Sequence, residues 1–148
     1  MKKLISFLIV AIFAIVIGGV DVKAETPYQN KWNIYLTPIE IEVLARVVQL
    51  EAGGEMKESK YATTETILNR IISTKYPNTL TEVVSQKGQF SVWRNVTTTK
   101  ANPTYDTYLA VYMVLIGQTN VLEIDSYQFN TQPIGKNPIK IGNQYYGK

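Results

Sequence analysis

Residues 37–55 read TPIEIEVLARVVQLEAGGE, and the reading of this stretch decides the fold. Thr37 can accept a hydrogen bond from the first turn of a helix. Pro38 suits a first helical position, and Glu40 completes a capping box. At 100° per residue, Glu40, Ile41, Leu44, Val47, Val48 and Glu51 share one face. Glu42, Arg46 and Gln49 lie opposite, and Glu42 with Arg46 forms a favourable i,i+4 pair. Gly53-Gly54 then ends the helix. The pattern therefore predicts a helix whose buried stripe runs into a carboxylate, Glu51. There the negative end of the helix dipole and an apolar surround both favour the protonated acid. A carboxylic acid that keeps its proton is what glycosidic bond cleavage needs to protonate a leaving oxygen. A slip of one residue in the helix reading would instead put Glu51 at the edge of the stripe.

The chain downstream predicts a helix-rich α+β domain. A second helix is expected from about Glu58 to Ser73, with Tyr61, Leu68, Ile71 and Ile72 as its stripe and Ile67 to one side. Glu65 sits beside that stripe and reads as a helix-surface residue rather than a partner acid. Tyr76-Pro77-Asn78 breaks the chain, and Thr79-Leu80-Thr81-Glu82 opens a short helix through Val83 and Val84. Lys87-Gly88 turns into an extended or irregular stretch, Gln89 to Trp93. Asn102-Pro103 starts a long helix to about Ile116, with Tyr105, Leu109, Tyr112, Met113 and Ile116 as its stripe and Gly117 closing it. In that reading Tyr105 and Tyr112 are core. The tail segments SYQFN and NQYYG read as short strands joined by a loop containing Gly and Pro.

The N-terminus carries an address. Met1-Lys2-Lys3 precedes an apolar run from Leu4 to Val20, and DVKAE follows. A positive start, a short apolar core and a small residue before the cut are the pattern of a secretory signal, with cleavage expected after Ala24. An uncleaved anchor is the competing reading, since the run is barely long enough to span a bilayer. Residues 1–24 are thus read as the signal, 25–36 as a leader docking through Trp32 and Tyr35, and 37–148 as the catalytic domain. The expected setting is secreted or cell-wall, with membrane contact only through the signal segment. Removing the signal takes away three lysines and one aspartate, so the formal charge falls from +3 to +1. The remaining lysines are scattered, which argues against nucleic acid as a partner. The sequence contains no cysteine and no histidine. Thiolate–imidazole and serine–histidine nucleophiles are therefore ruled out, and zinc sites lose their usual ligands. Carboxylates are the first candidates for proton carriers, with Tyr and Lys as weaker ones, and no metal or cofactor is expected.

Five blocks occur in order: LARVVQLEAGGE, ILNRI, YPNTLTEVV, KGQFSVW and IGNQYY. Together they resemble the spore cortex-lytic family of peptidoglycan-degrading cell wall hydrolases, over about residues 40–146. The resemblance implies a small lysozyme-like or lytic transglycosylase-like domain acting on the bond between N-acetylmuramic acid and N-acetylglucosamine. The family's catalytic acid falls on Glu51. This chain departs from the family pattern with Gly53 in place of an arginine and Gln144 in place of a histidine.

Glu55 can be a second carboxylate of a hydrolytic pair or an orienting residue after the glycine turn. Asp106, Glu123 and Asp125 read as solvated. No second acid is fixed by spacing, which favours a single-carboxylate mechanism ending in a 1,6-anhydro sugar. Gln89 and Ser91 can hydrogen-bond an acetamido group with Phe90 packed beneath, or can simply form a turn over a buried phenylalanine. Tyr127, Asn130 and Tyr145 are the preferred cleft candidates, and Gln144 and Glu55 are further substrate contacts. Arg70, in the LNR block, reads chiefly as a structural donor. The expected protein is a monomeric glycosidase acting on peptidoglycan glycan strands. A non-catalytic wall-binding or assembly protein retaining the fold is the alternative. A stem-peptide amidase is the third reading, disfavoured by the missing histidines.

Overall fold

In the computed structural model, which describes residues 30–148, Thr37 caps the first helix as its sequence requires. Thr37 Oγ1 accepts from Glu40 N at 3.3 Å, and Glu40 Oε2 accepts from Thr37 N at 2.8 Å. Helix α1 spans Pro38–Ala52, α2 Lys57–Ile72, α3 Leu80–Ser85 and α4 Tyr105–Leu115. Short 3₁₀ turns at Ser91–Asn95 and Thr99–Ala101 link α3 to α4. The strands are β1 (Gln128–Asn130), β2 (Ile139–Ile141) and β3 (Gln144–Gly147), in antiparallel order β1-β3-β2. Phe129 and Ile139 both pair with Tyr146. The domain is mainly helical with one small sheet. The signal expected at 1–24 and the first part of the leader lie outside the described residues.

Helix α2 is the axis of the fold, packed by α1, α3, α4 and the sheet. Ser59, Lys60 and every residue from Ala62 to Arg70 are buried. The expected stripe holds at Leu68 but not elsewhere: Ile72 is exposed and Tyr61 and Ile71 are only half-buried, because a helix enclosed on all sides needs no apolar face. Its threonines satisfy themselves. Thr64 Oγ1 donates to Lys60 O at 2.8 Å, and Thr66 Oγ1 to Ala62 O at 2.9 Å. Glu65 is a further correction. It is fully buried, and its carboxylate accepts from Lys31 Nζ (2.9 Å), Thr119 Oγ1 (2.9 Å), Val121 N (3.2 Å) and Leu122 N (2.9 Å).

The core on the other side of α2 holds Leu44, Val47 and Val48 of α1, Val83 and Val84 of α3, and Val111 and Val114 of α4. Each such side chain, fully buried, contributes about 1.5–3 kcal/mol. Helix α4 turns a different face inward from the one its large residues suggest. Thr107, Ala110, Val111 and Val114 are buried, while Tyr105, Leu109 and Tyr112 are exposed. Small side chains let α4 approach α2 closely, and the bulky ones are left outside. Thr104, two residues beyond the expected Asn102-Pro103 start, caps this helix, and Gly117 at φ +75° closes it.

Trp32 docks as expected, 4 % exposed, with Nε1 donating to Asn69 Oδ1 at 2.5 Å. Tyr35 does not: it is 65 % exposed. Part of the expected irregular stretch, from Ser91 onward, is 3₁₀ helix instead. Strand β2 had no sequence signal of its own, being three residues bounded by Pro138 and Gly142. Gly142-Asn143 is a two-residue hairpin turn with Gly142 at φ +58°, the positive value a II′ turn needs at that position.

Candidate active site

The C-terminal turn of α1, the last turn of α2, the turn before the first 3₁₀ segment and the sheet meet at an open cleft of about 470 Å³. Glu51, Arg70, Tyr76, Gly88, Gln89, Ser91, Gln128, Phe129, Asn130, Thr131 and Gln144 line it. Its wall is mostly polar, and of the described residues lining it Glu51 is the only carboxylate.

Glu51 reaches this place because it continues the Leu44–Val47–Val48 stripe by one more turn, with Ala52 buried beside it. Burial pushes its carboxyl up to about 7, and the Arg70 guanidinium pulls in the opposite direction. The carboxyl accepts no hydrogen bond from the described residues. A carboxyl raised into the neutral range suits both proton donation and proton return.

Gly53 follows Glu51 for a steric rather than a conformational reason. Its backbone is right-handed helical, and its N–H donates to Gln49 O at 2.9 Å. A Cβ there would lie 2.3 Å from that oxygen and 2.2 Å from Gln49 Nε2. Gln49 itself is held by Thr104 N (3.1 Å) and Thr107 Oγ1 (2.6 Å), so α1 ends locked onto α4.

Arg70 is 3 % exposed and firmly placed. Nε donates to Tyr127 O at 2.6 Å, and the guanidinium carbon lies 4.9 Å from each of the Tyr76 and Phe90 ring centroids. Nη1 is covered from solvent and has no hydrogen-bond partner. Neighbouring Asn69 donates to Glu123 O (2.9 Å) and Ser126 O (2.8 Å), fixing the chain that leads into β1.

Gln144 comes into the cleft from β3. The buried Tyr146 hydroxyl lies 3.0 Å from its Oε1, 3.2 Å from Thr63 Oγ1 and 3.3 Å from Ser59 O. Burial pushes the Tyr146 phenol up to about 12, so it stays neutral wherever Glu51 titrates.

Of the residues singled out from sequence, Glu51, Gln89, Ser91, Asn130 and Gln144 line the cleft. Phe90 is buried behind it, against Arg70 and Phe129. Tyr127 lies off the cleft, its ring 5.5 Å from Tyr76 and its carbonyl taken by Arg70. Tyr145 alternates away from Gln144 and Tyr146 along β3, with Lys140 Nζ 5.4 Å from its ring. Glu55 also points elsewhere: its carboxylate accepts from Asn143 Nδ2 (2.9 Å) and Asn143 N (3.4 Å), gripping the β2–β3 turn. Sequence reasoning missed Tyr76, Gln128, Phe129 and Thr131 as lining residues, and gave Arg70 only a structural role. The SYQFN segment carried the signal for two of them, since Gln128 and Phe129 precede Asn130, already a cleft candidate, in the same short strand.

Comparison with known proteins agrees with this architecture. The family model described as "Cell Wall Hydrolase" matches residues 54–145, starting three residues after Glu51. No curated protein sequence matches the chain. The catalytic domain of the germination-specific lytic transglycosylase SleB from Bacillus anthracis shares the fold, with a TM-score of 0.62 and 21 % identity over 76 % of this chain and 97 % of that one. The catalytic domain of the Bacillus cereus SleB protein does likewise, with a TM-score of 0.63 and 21 % identity over 77 % and 93 %.

Proposed function

The chain belongs to the cell wall hydrolase family, and from that premise we propose that it cleaves the glycan strands of peptidoglycan outside the membrane, with Glu51 as acid and then base. The observation that carries this reading is the single elevated carboxyl in a polar cleft. In the first step the Glu51 O–H protonates the oxygen linking N-acetylmuramic acid to N-acetylglucosamine. The bond from the muramyl C1 to that oxygen breaks, and its electron pair stays with the leaving sugar. In the second step the muramyl 6-hydroxyl bonds to C1 and gives its proton to the Glu51 carboxylate. The product is a 1,6-anhydro sugar, and Glu51 is restored.

Among the described residues no second carboxylate lines the cleft, which supports this route over hydrolysis, since hydrolysis needs a base or nucleophile across the ring. Glu55 cannot serve without releasing the Asn143 turn. The fold shared with the SleB catalytic domains, one of them a lytic transglycosylase, supports the same chemistry. Gln89, Ser91, Asn130 and Gln144 supply neutral donors and acceptors suited to acetamido groups and ring hydroxyls. An export signal at 1–24 fits a substrate that lies outside the membrane, and the expected oligomeric state is a monomer.

Mass spectrometry of sugars released from purified peptidoglycan, beside a Glu51→Gln control, tests the assignment. Anhydro-muramyl products lost in the control are expected. Reducing-end products would replace the transglycosylase by a hydrolase, and binding without release would leave a wall-binding protein.

A further inference from the structure

We propose that Arg70 is a positioning residue that receives the Glu51 carboxylate through Nη1 between proton donation and proton return. The proposal rests on Glu51 being the acid. It starts from two incomplete groups lining one cleft. Arg70 Nη1 is buried without an acceptor, and the Glu51 carboxyl accepts no hydrogen bond from the described residues. A guanidinium N–H without an acceptor is rare in folded proteins and calls for a reason.

Burial decides which acceptor fits. Nη1 is closed to solvent, so a glycan in the open cleft does not reach it. A side chain already at the wall can supply its acceptor. Among the described lining residues only Glu51 changes from a poor acceptor to a strong one during the reaction. While protonated, Glu51 has little to gain from Arg70 and stays free to face the substrate. Once its proton has gone to the leaving oxygen, the new carboxylate turns to Nη1. It is held there, oriented, until the 6-hydroxyl returns a proton.

Arg70 is built to wait in this state. Its Nε bond to the Tyr127 carbonyl and the flanking rings of Tyr76 and Phe90 fix the guanidinium plane without using Nη1. The other titratable groups facing Glu51 are Tyr76, on the turn after α2, and Tyr146, on β3, both of them phenols. The turn before the 3₁₀ segment and strand β1 contribute Gln89, Ser91, Gln128, Asn130 and Thr131, all uncharged. Among the described residues lining the cleft, Arg70 is therefore the cation placed to stabilise a charge on Glu51.

The test combines carboxyl-¹³C glutamate NMR, which follows the Glu51 titration without needing turnover, with kcat and KM against pH on purified peptidoglycan. In Arg70→Gln the Glu51 midpoint should rise by about one pH unit, because a cation that favoured the charged form is gone. The alkaline limb of kcat should move up with it, and kcat should fall about tenfold with KM nearly unchanged. In Arg70→Lys the charge remains but the fork does not: the midpoint should hold while kcat falls about fivefold. An unshifted midpoint in folded Arg70→Gln overturns the assignment. Should that variant fail to fold, full kcat in Arg70→Lys overturns it. Wild-type protein that releases no sugar defeats the glycosidase reading separately, since the titration is read without activity.

Discussion

The Tyr146 hydroxyl lies 3.0 Å from Gln144 Oε1 and so ties a fully buried residue of β3 to the wall of the cleft. With its oxygen turned to Tyr146, Gln144 is left with its amide N–H groups for the cleft. Tyr146→Phe removes this anchor together with the hydroxyl's contacts to Thr63 Oγ1 and Ser59 O in the interior. We expect a loss of about 1–2 kcal/mol in urea denaturation. KM for peptidoglycan should rise about fivefold with kcat little changed, because a binding donor has lost its orientation. An unchanged KM would show that Gln144 does not touch the substrate.

Glu51→Gln should abolish sugar release, a fall of at least about a hundredfold in kcat. The wild-type rate should have an alkaline limb near pH 7, where the acid loses its proton. The same substitution has an opposite effect on stability. Folding raises the Glu51 carboxyl from 4.5 to about 7, so between those values the folded state binds more protons than the unfolded one. Stability therefore falls as pH rises through that window and levels off above it. Glutamine carries no such cost. The variant should equal the wild type near pH 4 and exceed it by about 2 kcal/mol at pH 8, after allowance for solvent screening of a half-buried group. Denaturation midpoints at the two pH values check this, and equal differences at both would contradict it.

Helix α1 and the position of Glu51 were legible because they rest on local chemistry. A capping box and a 3.6-residue period act within fifteen residues, and they fix the phase to the last turn. Helix α2 was not legible in the same way. Glu65 read as a surface residue, but its partners come from a loop more than fifty residues away, and the threonines beside it pair with the helix's own carbonyls and with Tyr146. No period records such pairing. Helix α4 misled for a related reason, since its buried face is built of the small residues Thr107, Ala110, Val111 and Val114, which permit close packing, while its largest side chains are left outside. In the site, Gln89, Ser91, Asn130 and Gln144 were readable as polar residues in short blocks. The role of Arg70 was hidden, because an unpaired Nη1 exists only once Tyr76, Phe90 and Tyr127 have closed around it.

Trp32→Ala tests whether the segment before α1 is part of the folded body. Trp32 packs in the main core, and its indole N–H is the partner of Asn69 Oδ1. Its loss should cost about 3–5 kcal/mol, as for a large aromatic side chain removed from a core. Asn69 also holds the backbone entering β1, so activity should fall with stability. Tyr35→Ala, at an exposed neighbour, should change stability by no more than about 0.5 kcal/mol. Thermal unfolding of the pair decides the matter, and similar effects of the two changes would mean that Trp32 does not anchor the segment.

Glu65 gives the sharpest distinction between a buried charge and a buried shape. Its carboxylate is fully buried and takes hydrogen bonds from Lys31, Thr119 and the backbone of Val121 and Leu122. Lys31 also reaches Leu122 O at 2.6 Å and Asn120 Oδ1 at 2.8 Å, so one cluster pins both the segment before α1 and the loop after α4 onto α2. Glu65→Ala strands two backbone N–H groups as well as the cation and leaves a cavity, and should cost about 3–5 kcal/mol. Glu65→Gln keeps the volume and one acceptor oxygen, and Lys31, partly exposed, retains two other oxygens. It should cost about 1–2 kcal/mol. Urea denaturation of both variants at pH 7 checks the order. A glutamine variant as unstable as the alanine one would mean that the charge itself, rather than the set of acceptors, holds the two segments in place.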